Sequence, residues 1–252
     1  MRNAFLLLLT LITLSVAAQD KIEAERPSES ISPKTVNKNS LQAEIGFRKT
    51  QIDEDDKVWR TPNALLRYGL AKRVELRLET NVEHQRLVSE NVLRKGFRSV
   101  ELGVKAHVIE TEGEKFSAAV VGQLGLPGIA SPGYKLSKAY NRVRVLFENK
   151  ISEKIKLAYN IGNDWDSENE EQNWVYSFTP EFEIGNKWET FVEVYGFFKK
   201  NKIPEEVFDA GFAYFLSDKT EVDLSGGVGL NQDSPKYFIS AGFSFRLGSK
   251  HR

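Results

Sequence analysis

From Val74 to His84 the chain reads Val-Glu-Leu-Arg-Leu-Glu-Thr-Asn-Val-Glu-His, apolar or threonine at every second position with charged or amide side chains mostly between. A period of two has physical meaning only in a strand, whose successive side chains leave on opposite faces. About eleven further segments repeat the pattern. Strands are expected near 41–49, 63–69, 74–84, 99–109, 116–126, 140–148, 155–162, 173–184, 188–198, 206–216, 220–229 and 236–247. A tilted membrane strand needs about 9–11 residues, which matches most of these lengths.

The connections between these segments alternate. Short links fall at Leu70–Arg73, Thr111–Lys115, Asn149–Lys154, Gly185–Lys187 and Ser217–Lys219, whereas Thr50–Pro62, Gln85–Arg98, Pro127–Ala139 and Asn163–Gln172 read as long ones. Short turns on one side and longer loops on the other are the pattern of an outer-membrane barrel, with the short turns in the periplasm. The expected fold is therefore all-β, a transmembrane antiparallel up-and-down β-barrel of about 12 strands spanning residues 40–247. Strand alternation by itself also suits a soluble secreted sandwich or lipid carrier, so that alternative stays open on the strands alone.

The ends agree with export. Residues 1–18 combine Arg2, an apolar run from Ala4 to Val16 and the small Ala17-Ala18, the layout of a signal peptide cleaved after Ala18. Residues 19–39, with Pro27 and Pro33 among serines and charges, predict an extended periplasmic strap, and residues 248–252 a short tail. The chain has 35 basic and 35 acidic residues and no cysteine. That balance argues against nucleic acid as a partner, and the missing cysteines exclude disulfides and thiolate metal sites. The expected partners are membrane lipid with its head groups and a small-molecule solute.

By parity, one side of each strand faces lipid and the other the lumen. Arg77, Glu79, Arg142, Arg144, Glu189, Phe191, Glu193 and Tyr195 fall on the lumen side. Mixed charges there read equally as a hydrated pore or as a plug of ion pairs, and the aromatics as a path for apolar solute or as filling. His84, His107 and His251 are the only histidines, without a nucleophile at useful spacing, so no enzymatic role and no catalytic residue is expected. The acidic runs Asp53–Asp56 and Asp164–Glu171 match no calcium-loop spacing; no metal and no cofactor is expected. Pro180, inside a predicted strand, predicts a bulge or a break.

Several stretches resemble a known family. Glu25-Arg26-Pro27, Ser32-Pro33-Lys34-Thr35-Val36 before Leu41-Gln42-Ala43-Glu44-Ile45-Gly46-Phe47, and Leu65-Leu66-Arg67-Tyr68-Gly69-Leu70 leading into Val74-Glu75-Leu76-Arg77 resemble the outer-membrane transporter family named for the meta-pathway of phenol degradation. Gly103-Val104-Lys105-Ala106 and Leu126-Pro127-Gly128 do so too. The resemblance implies a barrel in the cell outer membrane and uptake of aromatic or apolar compounds, and brings no catalytic residue. The expected function is a transporter or channel for small molecules. The alternative is a non-conducting barrel with a structural or lipid-handling role.

Overall fold

The barrel is closed by its own ends. In a computed structural model describing residues 21–166, 171–199 and 202–248, the first strand β1 (Ser40–Gln51) pairs antiparallel with the last, β13 (Tyr237–Gly248), from Ser40 opposite Gly248 to Gln51 opposite Tyr237. Between them run β2 (Lys57–Ala71), β3 (Val74–Leu87), β4 (Val92–Phe97), β5 (Glu101–Glu110), β6 (Phe116–Gly125), β7 (Tyr140–Ser152), β8 (Ile155–Asp166), β9 (Glu171–Ile184), β10 (Trp188–Lys199), β11 (Glu205–Ser217) and β12 (Thr220–Gly229). Neighbours in sequence are neighbours in the sheet, apart from one interruption. Closure removes the free edges that a membrane cannot tolerate.

The interruption explains why thirteen strands make a barrel of twelve staves. The lower half of β3 pairs with β5, Glu79 opposite Glu101, and its upper half with β4, Val82 opposite Phe97. β4 and β5 are thus one returning stave, broken at Arg98–Val100. The expected loop Gln85–Arg98 is mostly strand, because β3 and β4 continue as a hairpin to a short turn at residues 88–91. Thr50–Pro62 changes likewise: β2 starts at Lys57, leaving only residues 52–56 as turn. The strand pattern simply runs further than a membrane requires. The 14-residue connection 126–139 does remain a true long loop. It packs on β4 through Ser131, whose hydroxyl accepts the Phe97 amide at 2.9 Å.

Pro180 neither bulges nor breaks β9. It stays in register opposite Leu157. On its other side the ladder to β10 lapses between Phe191–Glu181 and Val194–Phe178 without a change of register, as expected for a residue with no N–H to give.

Burial is inside-out relative to a soluble protein. Glu44, Glu75 and Lys105 are 0% exposed, while Leu102 is 45% and Phe178 48% exposed on the outer face. A soluble sandwich would bury the second set and expose the first. Indoles mark both rims of this apolar surface: Trp174, 54% exposed, toward the long-strand end and Trp188, 44% exposed, beside the turn at 185–187. Such girdles sit at membrane interfaces. The expected signal peptide, residues 1–18, lies outside the described residues.

Candidate functional site

Residues 21–39 leave the periplasm-type rim, pass into the lumen and return. The segment starts at that rim, where the Ile22 amide donates to the Asp218 carbonyl in the turn between β11 and β12, at 2.7 Å. It comes back at Lys34, paired with Glu114 at 3.4 Å, and at Thr35, whose hydroxyl donates to the Lys72 carbonyl at 3.4 Å. Between these points it reaches mid-strand height. The guanidinium of Arg26 lies over Gly46 and Gly242, which face each other across the β1–β13 seam, so that any side chain at either glycine would collide with it. Asp223 at 3.1 Å and Ser240 at 2.9 Å complete this slot. The sequence predicts an extended strap here. The structure places that strap against inward-facing side chains inside the barrel.

The strap is polar, and so is what holds it. A strap crossing an apolar lumen would leave its amides unsatisfied at a cost of several kcal/mol each; here carboxylates and an amide side chain receive them. Glu193 takes the amides of Glu29 and Ser30, both at 2.8 Å, and Glu75 that of Val36 at 2.8 Å. Asn160 brackets Ile31, accepting from its amide at 2.7 Å and donating to its carbonyl at 3.1 Å.

At the centre lies a knot of three carboxylates and three cations. Arg67 grips Glu75 with two nitrogens, at 3.0 and 2.9 Å, and Glu44 with a third at 3.0 Å. It also donates to the strap carbonyls of Glu23 at 2.9 Å and Lys34 at 3.2 Å. Glu25, carried in by the strap, is clasped by Arg77 through both terminal nitrogens, and by Lys105 at 2.8 Å. A guanidinium suits this role because its planar fork meets two oxygens at once. Removing one member of a buried ion cluster leaves the others uncompensated. Arg67→Ala is therefore expected to lower the stability of the refolded barrel by about 3–5 kcal/mol, read by urea unfolding in detergent. A loss under about 1 kcal/mol would show the knot to be open to water.

Charge also fixes the pH range over which the strap stays docked. Burial works against ionised Glu25, but Arg77, Lys105 and Arg67 outweigh it and hold the carboxyl well below its ordinary 4.5. Glu23 likewise falls to about 2, burial being outweighed by Lys156, Lys34 and Lys105. Lys34 is held above its ordinary 10.5, chiefly by Glu23. A carboxyl with lowered pKa contributes fully above 4.5 and loses its contribution as pH falls through the docked value; a raised lysine contributes fully below 10.5. The expected result is hydrogen exchange of the Val36 amide, held by Glu75 in the knot, that, corrected for intrinsic rate, is the same at pH 6 and pH 9 to within about twofold. A several-fold rise at either pH would contradict it.

Beside the strap a cavity of about 130 Å³ remains, lined by Glu25, Arg26, Ser28, Glu29 and Ile31 on one side and by Asn63, Leu65, Arg77, Glu79, Gln123, Arg142 and Arg144 among the wall residues. Arg142 bridges Glu101 at 3.2 Å and Asp164 at 3.6 Å; Arg144 bridges Asp164 at 3.6 Å and Glu29 of the strap at 3.1 Å. Gln123 donates to Glu79 at 3.1 Å.

Four of the eight residues expected in the lumen by parity, Arg77, Glu79, Arg142 and Arg144, thus meet at one cavity. Glu193 lies elsewhere, binding the strap. Phe191 and Tyr195 are buried, and Tyr195 packs with Val207, Phe238 and Phe197. Arg48 covers the Phe238 ring at 3.8 Å and donates to the Tyr195 hydroxyl at 2.9 Å. These aromatics fill the lumen and line no part of the cavity. Glu189, half-buried at the first turn of β10, is remote from it. Sequence reasoning missed Arg67 and the strap's Glu25 and Arg26. Arg67 had a signal, standing between the outward-facing Leu66 and Tyr68; the strap residues had only their place in a family-like stretch, because a segment without periodicity has no parity. Among the described residues no group of three or more acidic or histidine side chains is placed to hold a metal ion.

Comparison with solved structures places the architecture among outer-membrane channels. The COG4313 outer membrane channel from Pseudomonas putida F1 is 11% identical, covering 88% of this chain and 100% of that one, with a TM-score of 0.71. The NanC porin is 9% identical over 82% of this chain and 100% of its own, TM-score 0.58. The KdgM porin is 13% identical over 82% and 99%, TM-score 0.55. At these identities the likeness is one of fold. No curated protein matches the chain in sequence. A family profile does, across residues 24–247, a span that takes in the strap from its fourth residue, the arginine knot and every strand but the last residue of β13. The chain belongs to the family described as "Putative MetA-pathway of phenol degradation".

Proposed function

We propose that the protein is an outer-membrane channel for small molecules, narrowed from within by its own N-terminal strap. The observation that carries this reading is the polar cavity left between the strap and the wall of β2, β3, β6 and β7, where a lumen packed only for stability would be filled. Its charges are paired but not uniform in kind. Arginines crowd the β7 side, and Ile31 and Leu65 add apolar surface. This lining favours a small solute with one apolar face and one polar or ionised edge, such as an aromatic ring bearing a hydroxyl or carboxylate, over a bare hydrocarbon. With the links after β1 and β3 reduced to the turns 52–56 and 88–91, the strap is the more effective constriction. The reading is tested by the conductance of the refolded mature chain in planar bilayers. Discrete openings are expected, and stable insertion without current would favour a non-conducting barrel.

A further inference from the structure

The upper outer wall of β1–β4 carries charges that neither the cavity nor the strap uses. Outward-facing residues there form two cross-strand rows. One holds Lys49, Trp59, His84 and Lys95, the other Lys57, Arg86 and Leu93. Lys57 stands directly opposite Arg86, an arrangement that costs stability unless an anion neutralises it. None of the four cations forms an ion pair among the described residues, and no carboxylate stands in either row. Of the nearby acids, Asp53 and Glu54 hold Lys236 at 3.1 and 3.8 Å, Asp55 and Glu90 stand exposed in the turns above the rows, and Asp56 and Glu83 are buried and engaged. Asp56 accepts the amides of Val88 and Ser89 at 2.6 and 3.2 Å, and Glu83 takes Arg60 and Arg98 at 2.8 and 3.2 Å.

Height identifies what such a patch meets. The outward side of β3 leaves its turn at Val74, and about ten tilted residues span the apolar band, which puts His84 and its row at the far polar boundary. Below lie the exposed Leu66 and Leu76. The Trp59 ring stacks on His84 at 5.2 Å between centroids and takes Lys57 over its face at 5.7 Å, as an indole does where head groups begin. Leu93, 74% exposed beside Arg86, adds apolar surface that a free inorganic anion would not use.

We propose that this wall binds the phosphate of a phosphorylated glycolipid in the outer leaflet, with Lys57, Arg86 and Lys95 on the phosphate and Trp59 and Leu93 against its apolar part. The proposal rests on the outer-membrane reading but not on conduction.

The test is native mass spectrometry of the refolded mature chain in mild detergent, incubated with bisphosphorylated lipid A, with its dephosphorylated form, or with inorganic phosphate as competitor. The bisphosphorylated lipid is expected to be retained about tenfold more than the dephosphorylated one. The K57Q/R86Q/K95Q variant is expected to lose that preference while keeping the heat-dependent gel mobility of a folded barrel, and K150Q/K154Q/K187Q, at the other rim, to keep both. Equal retention of the two lipids, an unchanged preference in the first variant, or displacement by equimolar inorganic phosphate would overturn the proposal. A barrel that retains the lipid selectively but carries no current supports this site and fails only the channel reading; one that conducts yet shows no selectivity fails only this site.

Discussion

A chain lacking residues 21–34 is expected to insert as a barrel and conduct about threefold or more above the full-length chain, since a 12-strand lumen emptied of its plug is intermediate between filled and open barrels. The barrel wall does not need the strap for its ladder, because among the described residues the segment's one bridge to a strand is Lys38 to Gly69, outside the deletion. What the deletion removes is Glu25 from the knot, Arg26 from its glycine slot and Glu29 from Arg144. Arg67 keeps Glu44 and Glu75, so the knot is reduced and rehydrated without being orphaned. Single-channel recording in planar bilayers reads the effect. Conductance equal to the full-length chain would mean that ions already pass the strap freely, and the constriction would have to lie elsewhere.

Replacing Arg142 and Arg144 together by alanine is expected to shift the channel toward cations by about an order of magnitude in permeability ratio, read from the reversal potential in a salt gradient. The direction follows from the partners left behind: Glu101, Asp164 and Glu29 lose their counter-charges, and the cavity that was balanced becomes anionic. The same double variant in the strap-deleted chain should show a smaller shift, because a wider, wetter lumen screens fixed charge. An unchanged reversal potential in the full-length background would remove this cavity from the conduction path.

Much of the barrel could be read before the structure because a membrane strand carries its instructions locally. Val74–His84 states its own two faces, and parity groups Arg77, Glu79, Arg142 and Arg144, which border the cavity. The extents were less legible. Lys57–Pro62 and Gln85–Phe97 are charged on both faces, since strands that rise beyond the membrane no longer need a greasy side, and polar strand then looks like loop. The strap was legible as a non-strand and no further. Its position depends on pairings distant in sequence, Glu25 with Arg77 and Lys105, Arg26 with Asp223, Glu29 with Arg144, and no local pattern encodes them. Gly46 and Gly242 were equally silent, because what makes them necessary is a guanidinium arriving from elsewhere in the chain.

The closing seam sets an order of events. The strap is made before any barrel strand, yet the chamber that receives it exists only once β13, the last strand made, has zipped against β1. Half of the Arg26 slot, Ser240 and Gly242, belongs to that last strand. The strap must therefore wait undocked until the last strand has arrived. Because both legs of the strap leave by the same rim, it can then slide in from below without threading an end through the wall.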